Sequence, residues 1–171
     1  MSDTQVIEQL NTLQRRVEDI YIPEKPVQPM FSAYNSVSDT DVTGDGTAYT
    51  VIFDTEVFDV GGNYNNATGI FTAPVTGKYL FVCVTLAFGI VAAHTVGTCY
   101  IQTSNRWYWD SNVNPFNAAQ NGYYSFSAST IADMDAADTA KFILTITGGT
   151  KICDVFGAAA SYTYFQGYKL I

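Results

Sequence analysis

The chain predicts an all-β sandwich preceded by one short helix, and three observations carry that prediction. From residue 30 onward, short runs rich in Val, Ile, Tyr and Phe are separated by Gly, Asn, Asp and Pro turn signals, the pattern of stacked antiparallel strands. Aromatics make up 15% of the 171 residues and charged residues only 14%, a balance that supports a buried core and excludes disorder. A helical period is present before residue 22 and absent after residue 30.

The elements follow in order. Val6, Leu10, Leu13, Val17 and Ile20 recur at intervals of 4, 3, 4 and 3, a heptad seam with Leu10 and Val17 at a and Val6, Leu13 and Ile20 at d. Asp3 and Pro23 stand where a helix starts and stops. Leu at a, β-branched residues at d and apolar Ile7 at e favour three or more strands, so residues 1–22 are expected to form a trimeric coiled-coil stem or anchor. The alternative is an amphipathic helix lying against its own domain. Residues 23–30 carry Pro23, Pro26 and Pro29, a proline at every third position, which predicts an extended polyproline spacer. Strands are predicted over residues 30–34, 50–58, 69–73, 77–88, 95–103, 123–131, 140–146 and 161–170. Turns are expected at Thr43-Gly44-Asp45-Gly46, Asn114-Pro115, Asn121-Gly122 and Thr147-Gly148-Gly149.

Two of these strands are apolar on both sides. In 77–88, Tyr79, Phe81 and Cys83 alternate with Leu80, Val82, Val84, Leu86 and Phe88; in the last strand, Tyr162, Tyr164, Tyr168 and Leu170 alternate with Phe165, Gly167 and Ile171. A half-solvated strand should alternate apolar with polar. One face is therefore expected in the core and the other under a neighbouring subunit, with Tyr162, Tyr164 and Tyr168 at the contact; the alternative is cover by loops of the same chain.

Residues 53–81, FDTEVFDVGGNYNNATGIFTAPVTGKYLF, carry the most specific wording in the chain. Gly69-Ile70-Phe71-Thr72-Ala73-Pro74, followed by Gly77, Tyr79 and Phe81, resembles the signature of the C1q/TNF-like jelly-roll domain. Phe165-Gln166-Gly167-Tyr168-Lys169-Leu170 resembles the final strand of that family. The resemblance covers residues 31–171 and implies a jelly-roll head that packs as a homotrimer through the sheet holding the last strand.

Composition narrows the function. The net charge of −8, with only eight basic residues, is a poor fit to nucleic acid, which is held through phosphate neutralisation, and to anionic membranes. No apolar run is long enough for a spanning helix. The opening residues MSDTQVIEQL lack a basic region followed by an apolar one, so synthesis in the cytoplasm is expected. Cys83, Cys99 and Cys153 are read as buried free thiols, with a single bridge left open. His94 has no assignable catalytic partner, and the carboxylates Asp54/Glu56/Asp59 and Asp133/Asp135/Asp138 read as turn residues. No catalytic residue, metal site or cofactor is predicted. Asp39, Asp41 and Asp45 sit around a glycine turn and raise the question of calcium, but their spacing matches no EF-hand loop. Asn66-Ala67-Thr68 matches a glycosylation sequon.

Arg106, Trp107, Tyr108 and Trp109 form the candidate ligand-binding cluster. Aromatic platforms beside amides and arginine suit a sugar or a protein partner; alternatively the two tryptophans fill core or subunit interface. Stem, spacer and head together imply a non-enzymatic trimer on a virion surface, a phage fibre or capsid decoration. In that reading the helix binds a virion protein and the head meets a host-surface glycan or protein. A bacterial or secreted C1q-like lectin or surface-coat module, and a fibre-tip polysaccharide depolymerase, are the competing expectations.

Overall fold

The structure is a computed structural model that describes residues 2–18 and 27–170. In chain order the elements are α1 (Asp3–Glu18), β1 (Met30–Tyr34), β2 (Asp39–Thr43), β3 (Ala48–Thr50), β4 (Thr55–Val60), β5 (Tyr64–Asn65), β6 (Ile70–Thr72) and β7 (Gly77–Phe88). There follow β8 (Val96–Thr103), β9 (Trp107–Val113), α2 (Pro115–Ala118), β10 (Tyr124–Met134), β11 (Thr139–Thr147), β12 (Cys153–Val155) and β13 (Tyr164–Lys169). The larger sheet runs β2-β12-β7-β13-β1-β4, with β10 on the other flank of β7; the smaller runs β5-β6-β11-β8-β9, with β3 also on β11. Every pairing is antiparallel. The non-sequential strand order is that of a Greek-key sandwich closed into a jelly roll.

Strand periodicity builds the core. Tyr79, Phe81, Cys83, Thr85 and Ala87 of β7 point inward and are buried. They meet Cys99 and Ile101 of β8 and Phe142, Leu144 and Ile146 of β11 in one hydrophobic cluster. At one end the rings interlock: Phe31 stacks on Tyr64 at 4.6 Å and on Phe71 at 5.2 Å, and meets Phe165 edge-on at 5.0 Å. Phe81 sits 5.5 Å from Phe71 and 5.8 Å from Phe165. Each fully buried aromatic contributes roughly 1.5–3 kcal/mol of burial, and edge-on pairs add to it.

The glycines of both sequence motifs have a physical reason. Gly167 lies between the rings of Phe31 and Phe81, and a methyl group there would overlap Phe31. Gly69 has φ +70°, and a Cβ at that position would stand 2.5 Å from the Val51 carbonyl oxygen. Only glycine meets both demands.

Several elements depart from the sequence expectation. The predicted strand 50–58 is two strands, because the chain crosses from the smaller sheet at β3 to the larger sheet at β4. Val51 and Phe53 stay buried through the crossing, so the alternation continues where the pairing does not. The polar segment DTDVT forms β2, β12 is only three residues long, and β9 occupies the segment read as a binding surface. Pro115 opens a single helical turn where a plain turn was expected, with Asn114 Oδ1 accepting from the Asn117 N–H at 3.0 Å.

Candidate functional site

Three surfaces and one buried cluster hold the residues singled out by sequence. The first surface is α1. The Ser2 N–H donates to Gln5 Oε1 at 3.0 Å, the back-reaching half of a capping box, and the Ser2 carbonyl accepts from Val6 N–H as the first helical bond. Arg15 and Arg16 in the last turn suit the helix dipole. Val6, Ile7, Leu10 and Leu13 are all exposed, and residues 2–16 bury no side chain. Val17 continues the helix in backbone, while Ile20 and the prolines Pro23 and Pro26 lie outside the described residues. The spacer ends at Pro29, whose carbonyl accepts from Lys169 N–H at 3.0 Å.

The second surface is the outward face of the larger sheet. Leu80, Val82, Val84, Leu86 and Phe88 are half-buried along β7. Register places Tyr168 beside Leu80 and Met30, Gln166 beside Val82 and Ser32, and Tyr164 beside Val84 and Tyr34. On the β10 side, Ile131 faces Leu80 while Ser129, Ser127 and Ser125 face Val82, Val84 and Leu86. Gln166 Nε2 donates to Ser32 Oγ at 3.2 Å across the middle of this face. A depression of about 220 Å³ opens between Met30, Phe58, Leu80, Val82 and Tyr168. Tyr168 and Ile131, the two neighbours of Leu80, are exposed, so the face is open at its Leu80 end. Tyr162 precedes β13 rather than joining it, packing edge-on against Phe156 at 5.5 Å. Phe156 in turn meets Phe88, which stacks on Tyr123.

The third surface is the outward face of the smaller sheet, at its free edge strand β9. Trp107 and Trp109 are each 56% exposed, which excludes a core role. They lie over Tyr100 of β8, at 5.4 Å and 4.3 Å between ring centroids, and leave Tyr100 only 6% exposed. Tyr108 alternates to the other side and packs against the core, so the structure does not bring it together with the two tryptophans. A register shift between Cys99 and Tyr100 inserts Asp110 as an extra residue of β9. Trp107 pairs with Gln102, which pairs with Lys141. Arg106 is exposed in the preceding turn, which is held by Arg106 N–H donating to Thr103 Oγ1 at 3.0 Å and Asn105 Nδ2 donating to Asp138 Oδ2 at 2.6 Å. Tyr100, Gln102 and Lys141 join this patch through pairing across strands, a relation that spacing along the chain does not encode.

The buried cluster is His94 with Cys153. Val91 N–H donates to His94 Nδ1 at 3.0 Å, which leaves Nε2 as the protonated nitrogen donating to the Thr150 carbonyl at 3.1 Å. Cys153 Sγ stands 3.4 Å from Nδ1. Burial, with Asp154 adding to it, pushes the Cys153 thiol up to about 11, and burial raises Cys83 and Cys99 as well. All three cysteines are free and buried. A nucleophile works as the thiolate, and each of these is held as the thiol, sealed from solvent.

The aspartates serve turns and loops. Asp39 accepts from Asn35 Nδ2 at 2.8 Å and is raised by burial; Asp45 Oδ1 accepts from Thr47 N–H at 2.9 Å. With Asp41 they form no metal-ligand group, and no such group of three or more occurs among the described residues. Asp54 accepts from Ser36 N–H and Oγ, Asp59 from Tyr64 N–H, and Asp133 pairs with Lys78 at 3.5 Å. No helix of the described residues is long and apolar enough to cross a membrane.

The two-sheet architecture, the strand order and the aromatic cluster around Gly167 define a C1q/TNF-like jelly-roll sandwich. The sequence profile of the C1q domain matches residues 31–168, and the chain belongs to that family. Solved structures of similar fold include the globular domain of the zebrafish complement 1qA protein, at 17% identity and a TM-score of 0.56, covering 84% of this chain and 98% of that one. Murine APRIL at pH 8.0 is also similar, at 13% identity and a TM-score of 0.54, covering 84% and 99%. No curated protein sequence matches the chain. Domains of this type are typically homotrimeric and generally non-enzymatic.

Proposed function

We propose that the chain forms a non-enzymatic homotrimer that stands on the surface of a virion, as a phage fibre or capsid decoration, with its helix anchored to the particle and its head displayed. The observation that carries the trimer is the outward apolar stripe Leu80, Val82, Val84 and Leu86, half-buried and flanked by Tyr164 and Tyr168. Contiguous apolar surface of this kind on a soluble domain marks an association site, and a closed ring of three copies covers it without leaving a free edge. The stem reading rests on the exposed seam of Val6, Leu10 and Leu13, with Val17 and Ile20 extending the same heptads. In residues 1–22 the head would have its anchor, in 23–30 its spacer, and in 31–171 the module that meets the outside.

The virion placement is supported by this layout, which resembles that of heads carried on phage fibres and capsid projections. Removing residues 1–22 and measuring both particle incorporation and solution mass tests it. The expected result is a head that loses the particle. A truncated head that still joins the virion would refute the anchor. A lectin or surface-coat module is the second reading, favoured by the exposed Trp107 and Trp109; recovery of the intact protein from cell surfaces instead of purified particles would select it.

A further inference from the structure

We infer that the outward face of the smaller sheet is a binding site for an acidic saccharide, one whose sugar units carry carboxylates; this deepens the displayed-head reading above. Trp107 and Trp109 supply the stacking surface. Tyr100 lies beneath both, within 17° of parallel to Trp107 and 37° to Trp109. Buried itself, it holds the indoles in place before any ligand arrives, and preorganised aromatic anchors lose little entropy on binding. Indole faces suit the C–H face of a pyranose, with polar neighbours taking the hydroxyls.

The row Trp107, Gln102, Lys141 crosses three adjacent strands on one face, a span of roughly 10 Å at ordinary strand spacing. A disaccharide unit laid across the strands stacks one ring on Trp107. Gln102, whose amide both donates and accepts, meets its hydroxyls, and the Lys141 ammonium takes the carboxylate of the next ring.

Charge decides the class of sugar. The chain has eight basic residues against sixteen acidic, yet two of the eight, Lys141 and Arg106, flank this platform. Neither forms an ion pair among the described residues, whereas Lys78 pairs with Asp133. Asp138, the carboxylate near the Arg106 turn, is engaged by Asn105 Nδ2 and Asp135 N–H. Asp110 is the one opposing charge on β9. A neutral glycan makes no use of two free cations, and a protein partner makes little use of a platform only two indoles wide. A carboxylate gains charge-assisted hydrogen bonds from both.

The platform faces away from the Leu80–Phe88 stripe, because the two sheets of a sandwich turn opposite outer faces to solvent. Trimer formation through the larger sheet leaves three such sites open, and a polymeric ligand engages them with avidity.

The test uses the full-length protein on an array of uronic-acid and sialic-acid glycans, each beside its carboxyl-reduced counterpart, with solution mass measured on the same samples. Wild type is expected to retain acidic glycans and to lose about tenfold or more in affinity when the carboxyls are reduced. Trp107→Ala should abolish retention of both forms. Lys141→Gln should weaken only the acidic form, and Asp110→Asn should strengthen it. Equal retention of acidic and reduced glycans, or no retention of any acidic glycan by wild type, overturns the inference. A wild-type mass other than a trimer overturns the assembly reading instead.

Discussion

On the outward side of β7 the side chains run Leu80, Val82, Val84, Leu86, Phe88; on the outward side of β8 they run Val96, Thr98, Tyr100, Gln102. Both strands are central to their sheets, and both bury their other face in the same core. The first row is apolar and continuous, with serines along one flank and a single carboxylate, Asp154, beside Phe88 at its end. The second is broken by hydroxyls and an amide, and its aromatic edge is capped by two exposed indoles. Aliphatic burial is non-directional and scales with area, so a flat aliphatic face suits a large, shape-matched neighbour such as a second copy. An aromatic patch rimmed by hydrogen-bonding groups suits a ligand that is itself half polar. On the proposed reading, one sandwich carries an association face and a recognition face on opposite sides.

The largest effect should come from charging the association face. Val82→Glu places a carboxylate in the middle of the stripe, where covering it unpaired costs several kcal/mol; a trimer is expected to fall to monomers in sedimentation analysis. Thr98→Glu on the other sheet is the matched control, with stability changed by no more than about 0.5 kcal/mol and the mass unaltered. A trimeric Val82→Glu protein would show that the subunits meet elsewhere.

Next is the core that holds both faces in register. Gly167→Ala sets a methyl group against Phe31 and Phe81, and overpacking of this kind costs about 1–3 kcal/mol in denaturant titration. An unchanged midpoint would mean the rings have room to move.

Smaller still is the alkaline limb of stability. The Cys153 thiol is raised by burial from 9.0 to about 11 in the folded chain. A raised thiol contributes stability that is complete below pH 9 and is lost as pH climbs to 11. Melting temperature should therefore fall over that window more steeply in wild type than in Cys153→Ala. Parallel curves would mean that the thiolate is accommodated without cost.

The smallest effect is expected at Thr85, whose Oγ1 is buried without a hydrogen-bond partner. Thr85→Val keeps the shape and removes the unpaired hydroxyl, for a gain of about 1 kcal/mol with neither outward face disturbed. A loss of stability would point to a partner for the hydroxyl, such as a buried water.

Much of this architecture was legible in the sequence. The boundaries of β1 and β7 are those that the alternation of Met30–Tyr34 and Gly77–Phe88 predicts, and β8 starts one residue later than expected and ends where expected. The GIFTAP and FQGYK wording marked the family because Phe71, Phe165 and Gly167 all pack against Phe31, while Gly69 lets the chain pass close to the Val51 carbonyl. What escaped were elements whose signal is weak locally. Asp39–Thr43 is polar because it lies at a sheet edge, and Cys153–Val155 is too short to show a period. The 51–54 crossing hides inside an unbroken alternation. Trp107 and Trp109 were legible as an aromatic pair beside polar groups, but whether they filled core or faced outward was decided only by the fold, which leaves both exposed. Tyr108 was grouped with them because it is adjacent in the chain, although a strand sends adjacent residues to opposite faces.

The sequence by itself determined the alternation of each strand, the turns between them and the family the chain belongs to, since these follow from residue type and near-neighbour spacing. Only the tertiary structure decided which apolar faces stay open and which residues from distant strands share them. Lys141 lies far along the chain from Gln102 and Trp107, and pairing of β11 with the β8–β9 hairpin sets the three in one row. Register is a long-range property, fixed when the core face closes, because a slip of one residue would turn every buried ring outward.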